Sequence, residues 1–359
     1  MKPGPSTKTP VSFTDLIGIN YPIIQGPFGG GFSSVELTTT VSNLGGLGSF
    51  GAHQLSSEEI QSLCVEIERL TTKPYAINLW VSNTDKEMQN VTKEGFLKHQ
   101  GVFKAIYKKF EVEPPQWRAP EGVTFEQQVE GILRASPRVF SFVFGIPSKA
   151  ILTECRKQNI LTLGAATTIE EALALDESGV DLILATGFEA GGHRPSFLKA
   201  SEDSLIGTFA LVPAIRDAVS TPVIAAGGIA DRRGVRAALA LGADAVQVGS
   251  AFLACDESTS TKSHKKKLLE NKNGETILSR AYSGRLARFF PNKVTEIHHM
   301  SELATLPFPA QGWVTQPIKK AAITTSDVDY MPLYASQISP LIKHSSTAEV
   351  MRELIEGLE

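Results

Sequence analysis

The sequence predicts an α/β fold, a (β/α)8 TIM barrel with an appended, mostly helical lobe. Three observations lead there. Eight short apolar runs alternate with helical patterns along most of the 359 residues, which is how parallel strands covered by helices read. Each run is too short for a helix and is bounded by Gly, Pro or Asn. The alternation breaks twice at long segments, so the chain holds more than a simple barrel needs, and its 42% hydrophobic composition suffices for one large core.

In chain order, the strands are expected at Pro22 to Gln25, Gly46 to Phe50, Tyr75 to Trp80, Val139 to Phe144, Leu161 to Gly164, Asp181 to Thr186, Pro222 to Ala226 and Ala245 to Val248. Helix starts lie between them. Ser56 with Glu59, and Thr168 with Glu171, have capping-box spacing, and Asp231 caps the run RRGVRAALALG. Residues 11–82 and 137–260 are thus assigned to the barrel, 83–136 to a helical insertion or lid, and 261–359 to a C-terminal helical segment packing with that insertion. The insertion sets Phe96, Phe103, Tyr107, Phe110 and Trp117 among charged residues and ends in the bend EPPQWRAP. A lobe over the C-terminal mouth of a barrel would cover the place where barrel enzymes hold their active sites and exclude water from it.

Composition removes several classes of function. A net charge of -3 offers no field for nucleic acid, and the basic run Lys265 to Lys267 reads as a solvated helix face. No apolar run approaches the roughly 20 residues of a membrane span. The opening MKPGPSTKTP has no secretory apolar region and reads as a loose arm. Three cysteines, Cys64, Cys155 and Cys255, fit neither a disulfide framework nor a zinc site, so a cytoplasmic, reducing compartment is expected and no metal. His298 and His299, adjacent in sequence, point in different directions and read as surface residues.

The strand ends carry the chemistry. After the seventh strand comes Gly227-Gly228, and after the eighth Gln247-Val248-Gly249-Ser250. Glycine turns at these consecutive strand ends let backbone N–H groups converge on an anion, which predicts a phosphate cradle. Sugar-phosphate and nucleotide-biosynthesis barrels share such a cradle, so the ligand stays open on this feature alone. Asn78 near the end of the third strand, and Gln25 and Gly26 opening the glycine-rich loop after the first, are placed to meet a flat ring or its polar chain.

The sixth strand runs through Thr186 into Gly187-Phe188-Glu189-Ala190-Gly191-Gly192-His193-Arg194. His193 is read as the only histidine at the mouth. Its imidazole can take a proton from a carbon acid or donate to an anion, and the paired glycines let the backbone come close to a ligand. Glu189 could orient that ring or cap the following segment and Arg194 could pair with a carboxylate, and both are assigned structural rather than catalytic roles.

These motifs resemble the nitronate monooxygenases, formerly 2-nitropropane dioxygenases, and more closely their class I members. The resemblance covers nearly the whole chain. It rests on PIIQGPFGGGFSS, INLWV, GFEAGGHR, PVIAAGGIADRRGVRAALALGADAVQVGSAFLACDES, SGRLARFF, FPAQ and PLYASQ. It implies FMN held by Asn78, Thr186, Gly191, Gly228 and the segment Gln247 to Ser250, with His193 as the catalytic histidine. Gln25, Gly26, Gly192 and Gly227 complete the expected cofactor set. The implied activity is oxidation of an alkyl nitronate by O2 to a carbonyl compound and nitrite, with a homodimer as one assembly open to the chain. The family commonly has glutamine where Thr186 stands, and alanine and methionine around Gln25, Gly26 and Phe28. An NADH-dependent flavin enoyl-thioester reductase shares the EAGGH loop and the barrel and is the alternative. A barrel that senses a phosphorylated ligand without turnover is the third reading.

Overall fold

A computed structural model describes residues 12–82, 84–118, 123–301 and 303–359; the expected N-terminal arm lies outside them. Its strands are β1 (Ile23–Gln25), β2 (Gly48–Gly51), β3 (Tyr75–Trp80), β4 (Val139–Val143), β5 (Leu161–Ala166), β6 (Leu182–Thr186), β7 (Gly192–His193), β8 (Val223–Ala226), β9 (Ala245–Val248), β10 (Ile277–Ser279) and β11 (Ala287–Phe289). Eight of them form one parallel sheet in the order β1-β9-β8-β6-β5-β4-β3-β2. A parallel bridge between Ile24 and Leu47 joins β1 to the chain entering β2 and closes the barrel.

Side-chain alternation explains why short apolar runs make this wall. Ile24, Ala76, Val139, Leu182, Leu184 and Ile224 fill the interior, joined by Phe13 and Ile17 of the helix Phe13–Ile17. Their strand neighbours Ile23, Ile77, Phe140, Ile183 and Val223 point the other way and pack with the surrounding helices. Cys64, Cys155 and Cys255 are buried and free. Among the described residues, no helix is long and apolar enough to cross a membrane.

The lobe is built from both interruptions. Phe96, Phe103, Ile106 and Tyr107 share one apolar cluster with Tyr282, Phe289, Val294, Val314 and Ile318, and the Tyr107 hydroxyl donates to the Val314 carbonyl at 2.7 Å. Both segments also return material to the barrel. The helix Phe125–Ala135, inside the expected insertion, lies on the helix Ser57–Leu70. Gly131 permits that approach, because a Cβ there would lie 2.7 Å from the Ser57 carbonyl oxygen. The closing helix Thr347–Ile355 rests on the barrel helices Val35–Asn43 and Arg232–Ala240 through its buried face of Val350, Met351 and Leu354. A small antiparallel sheet, β10-β11-β7, stitches the lobe to the loop after β6.

Three local expectations are corrected. Thr168 does cap its helix, but Glu171 does not return to the cap backbone; its buried carboxylate accepts from Thr167, Phe197 and Leu198 N–H instead. Lys265 is not simply solvated: its ammonium donates to the Asp256 and Ser258 carbonyls. His298 is half-buried, with Nε2 2.6 Å from Thr305 Oγ1, whereas His299 is exposed.

His264 makes stability depend on pH. Its ring is buried, Nε2 donates to the Tyr334 carbonyl at 2.8 Å, and burial lowers its pKa from 6.5 to about 4. The folded state therefore binds fewer protons than the unfolded state between those values, and stability falls as pH falls through that window. His264 alone should cost about 2 kcal/mol at pH 5 relative to pH 8. Urea midpoints at the two pH values measure the loss, and His264→Gln should make it smaller.

Candidate active site

The mouth of the barrel opens into a cavity of about 490 Å³, lined from the ends of β1, β3, β6, β8 and β9 and roofed by the lobe. That size is within the range of small-molecule and cofactor pockets. Gly26, Asn78, Thr186, Gly191, Gly192, His193, Gly227, Gly228, Gln247, Gly249 and Ser250 all line it. Gln25 and Val248 do not. Gln25 is fully buried, where its side-chain oxygen accepts the Ser49 N–H at 2.9 Å and ties β1 to β2. Val248 packs outward with the barrel helices and presents only its carbonyl, which accepts the Gly26 N–H at 2.8 Å.

The two glycine turns sit side by side because β8 and β9 are parallel neighbours. Gly227 and Gly228 have φ of +98° and +71°, a left-handed backbone that turns successive groups toward the cavity. Glu189 secures this corner, accepting the Thr208 N–H at 2.9 Å at the start of the helix Thr208–Ala218. Arg194 is buried and, among the described residues, pairs with no carboxylate; its guanidinium donates to the carbonyls of Thr186, Ser204 and Thr167 and so holds the β6 loop. Asn78 donates to Ser141 Oγ at 3.0 Å. Thr186 Oγ1 is buried without a partner, which suits a ligand that supplies one.

The lobe positions His193. It lies in β7, opposite Ala287 of β11, and the next N–H donates to the Leu286 carbonyl at 2.8 Å. Its Nε2 is 2.8 Å from Ser283 Oγ, which also accepts the Arg285 N–H at 3.2 Å. Trp80 meets the ring edge-on at 5.1 Å, and Tyr334 lies 5.7 Å away. Burial first, then the charges of Arg285, His53 and Lys319, lower the His193 pKa from 6.5 to about 3, so the ring is neutral at physiological pH.

Several site residues escaped the sequence reading. His53 also lines the cavity, stacked on Trp80 at 4.1 Å, so His193 is not the only histidine there. Behind them Arg285 lies 4.1 Å over Phe144 and 4.4 Å over Phe308 and donates to Asp85 at 2.8 Å. Asp85 in turn accepts the Phe308 N–H at 3.0 Å, tying the insertion to the C-terminal segment. Tyr334, Ser336 and Lys319 approach from beyond the last barrel strand. The position of His53, two residues past β2 at the catalytic end, was the one signal open to a sequence argument.

Comparison with known proteins points the same way. The family model for nitronate monooxygenase matches residues 11–357. A protein of Bacillus subtilis named "Probable nitronate monooxygenase" is 36% identical over 96% of this chain and 98% of its own length, and one of the same name from Staphylococcus haemolyticus is 35% identical over 96% of each. The solved nitroalkane oxidase from Streptomyces ansochromogenes superposes with a TM-score of 0.87 at 32% identity, covering 96% of this chain and 98% of that one. FabK from Thermotoga maritima, at 23% identity and a TM-score of 0.75 over 98% of this chain and 96% of its own, shares the fold.

Proposed function

This chain belongs to the nitronate monooxygenase family, and from that premise we propose that it binds FMN and oxidises alkyl nitronates such as propionate-3-nitronate with O2 to a carbonyl compound and nitrite. The observation that carries the reading is one cavity shared by the paired glycine turns of β8 and β9 and by His193. Residues Gly227, Gly228, Gly249 and Ser250 would take the FMN phosphate on backbone N–H groups. Gly26, Asn78, Thr186, Gly191, Gly192 and Gln247 would line the rest of the cofactor. FMN, when bound, supplies the electron chemistry with substrate and O2.

The chain itself positions, shields and moves one proton. With the Ser283 proton given to the Arg285 carbonyl, 3.2 Å away, His193 Nε2–H donates to Ser283 Oγ and Nδ1 is left to take the α-proton of a neutral nitroalkane. For a nitronate no proton need be removed; in the other tautomer Ser283 Oγ–H donates to Nε2 and Nδ1–H would donate to the anion. Trp80, Phe144 and Phe308 wall the site with apolar surface, and the lobe keeps bulk water from it.

The test is a visible spectrum of the purified protein followed by a nitrite assay. A yellow protein releasing nitrite from propionate-3-nitronate in air is expected. Rapid anaerobic reduction of the flavin by NADH without nitrite formation would favour the enoyl-thioester reductase instead. A colourless protein unable to take up FMN would favour a sensor.

A further inference from the structure

Lys319 is a charge in the cavity that no described residue neutralises. Gly312, Gln316 and Lys319 of the helix Ala310–Thr325 all line the cavity, and their spacing of four and three residues puts them on one helix face. Among the described residues, no Asp or Glu lines the cavity, and no hydrogen bond or ion pair to the Lys319 ammonium is formed. Of the other cations around the site, Arg285 pairs with Asp85 and Arg280 with Glu202, while Arg118, which also lines the cavity, is exposed to solvent and lies over the Trp313 ring. Burial lowers the Lys319 pKa to about 8, the cost of holding an ammonium without a counter-ion.

An enclosed cation without a partner is completed by an anion brought in with the ligand. The cofactor phosphate has its own cradle at the ends of β8 and β9. Lys319 shares the cavity with His193, and its charge contributes to the lowered His193 pKa. We propose that Lys319 is the specificity-determining residue for the substrate's tail, pairing with a carboxylate remote from the nitro group, so that the cavity prefers acidic nitronates over plain alkyl ones. This rests on the nitronate reading above and adds to it the class of side group selected.

Propionate-3-nitronate and propyl-1-nitronate have nearly the same size and differ in the terminal carboxylate. In Lys319→Met the ratio of their kcat/KM values should fall roughly tenfold to a hundredfold, carried by KM of the acidic substrate, as expected when a charged hydrogen bond is lost. Lys319→Arg should restore most of the ratio. Lys320→Met, which alters the exposed neighbour, should leave it unchanged. A ratio unaffected by Lys319→Met would overturn the proposal. So would parallel loss of flavin absorbance and of both activities, which would assign Lys319 to the cofactor. Wild-type protein that releases nitrite from neither nitronate would instead overturn the nitronate reading itself.

Discussion

Replacing His193 by Asn should lower turnover of a neutral nitroalkane by roughly 10²- to 10⁴-fold, the usual contribution of a positioned general base. Turnover of the preformed nitronate should fall by less than about tenfold, because that substrate has already lost its proton. A base whose pKa lies near 3 looks weak for this work. The value describes an imidazolium formed alone in the cavity, however, whereas proton abstraction forms the nitronate beside it, and the Arg285 and Lys319 charges that oppose the imidazolium favour that anion. The depressed pKa also has a pH consequence. The neutral, proton-accepting ring persists well below its ordinary pKa of 6.5, so His193 should impose no loss of nitroalkane activity between pH 8 and 5. Ser283→Ala, which removes the ring's anchor and the acceptor of the Arg285 N–H, should fall between the wild type and His193→Asn. Equal losses on nitroalkane and nitronate in His193→Asn would eliminate the base role and leave His193 a binding residue.

The barrel was legible because its signals are local. Each strand is a short buried run, and each run announces itself without reference to the others. The same holds for the glycine turns after β8 and β9. Two residues assigned to the cofactor, Gln25 and Val248, lie off the cavity for a reason the sequence itself contained. Side chains alternate along a strand, so Gln247 facing the cavity sends Val248 to the helix side, and Ile24 facing inward sends Gln25 away from the barrel interior. Ser283, Arg285 and Lys319 carried no comparable signal. Ser283 and Arg285 reach the site through the pairing of the two-residue strand β7 with the three-residue strand β11, nearly 100 positions later, and Lys319 comes in on the helix Ala310–Thr325. Such short partners have too few side chains to show a period, and a non-local contact leaves no trace in a local window. The Glu171 capping box failed similarly: the spacing was right, but the loop around Phe197 offered its carboxylate buried N–H donors.

Gly228→Asp should abolish FMN retention, while Gly228→Asn should weaken it far less. The comparison isolates charge from shape. Gly228 has φ of +71°, and a Cβ added there meets nothing nearer than Glu189 Cβ at 3.7 Å, so there is room for a small side chain. Asp and Asn are the non-glycine residues that best tolerate this left-handed backbone, and the two are nearly isosteric. Both variants should therefore fold. Only Asp brings a carboxylate to the turn assigned to a phosphate dianion, in an enclosed site where water screens little. Like charges about 5 Å apart at an effective dielectric of about 20 repel by roughly 3 kcal/mol per charge pair, or a hundredfold or more in affinity. Titration of apo-protein with FMN, followed by flavin fluorescence, measures the difference directly. If Asp and Asn bind equally well, the phosphate does not lie against Gly228, and the glycine pair is then a tight strand-to-helix turn with no part in holding the cofactor.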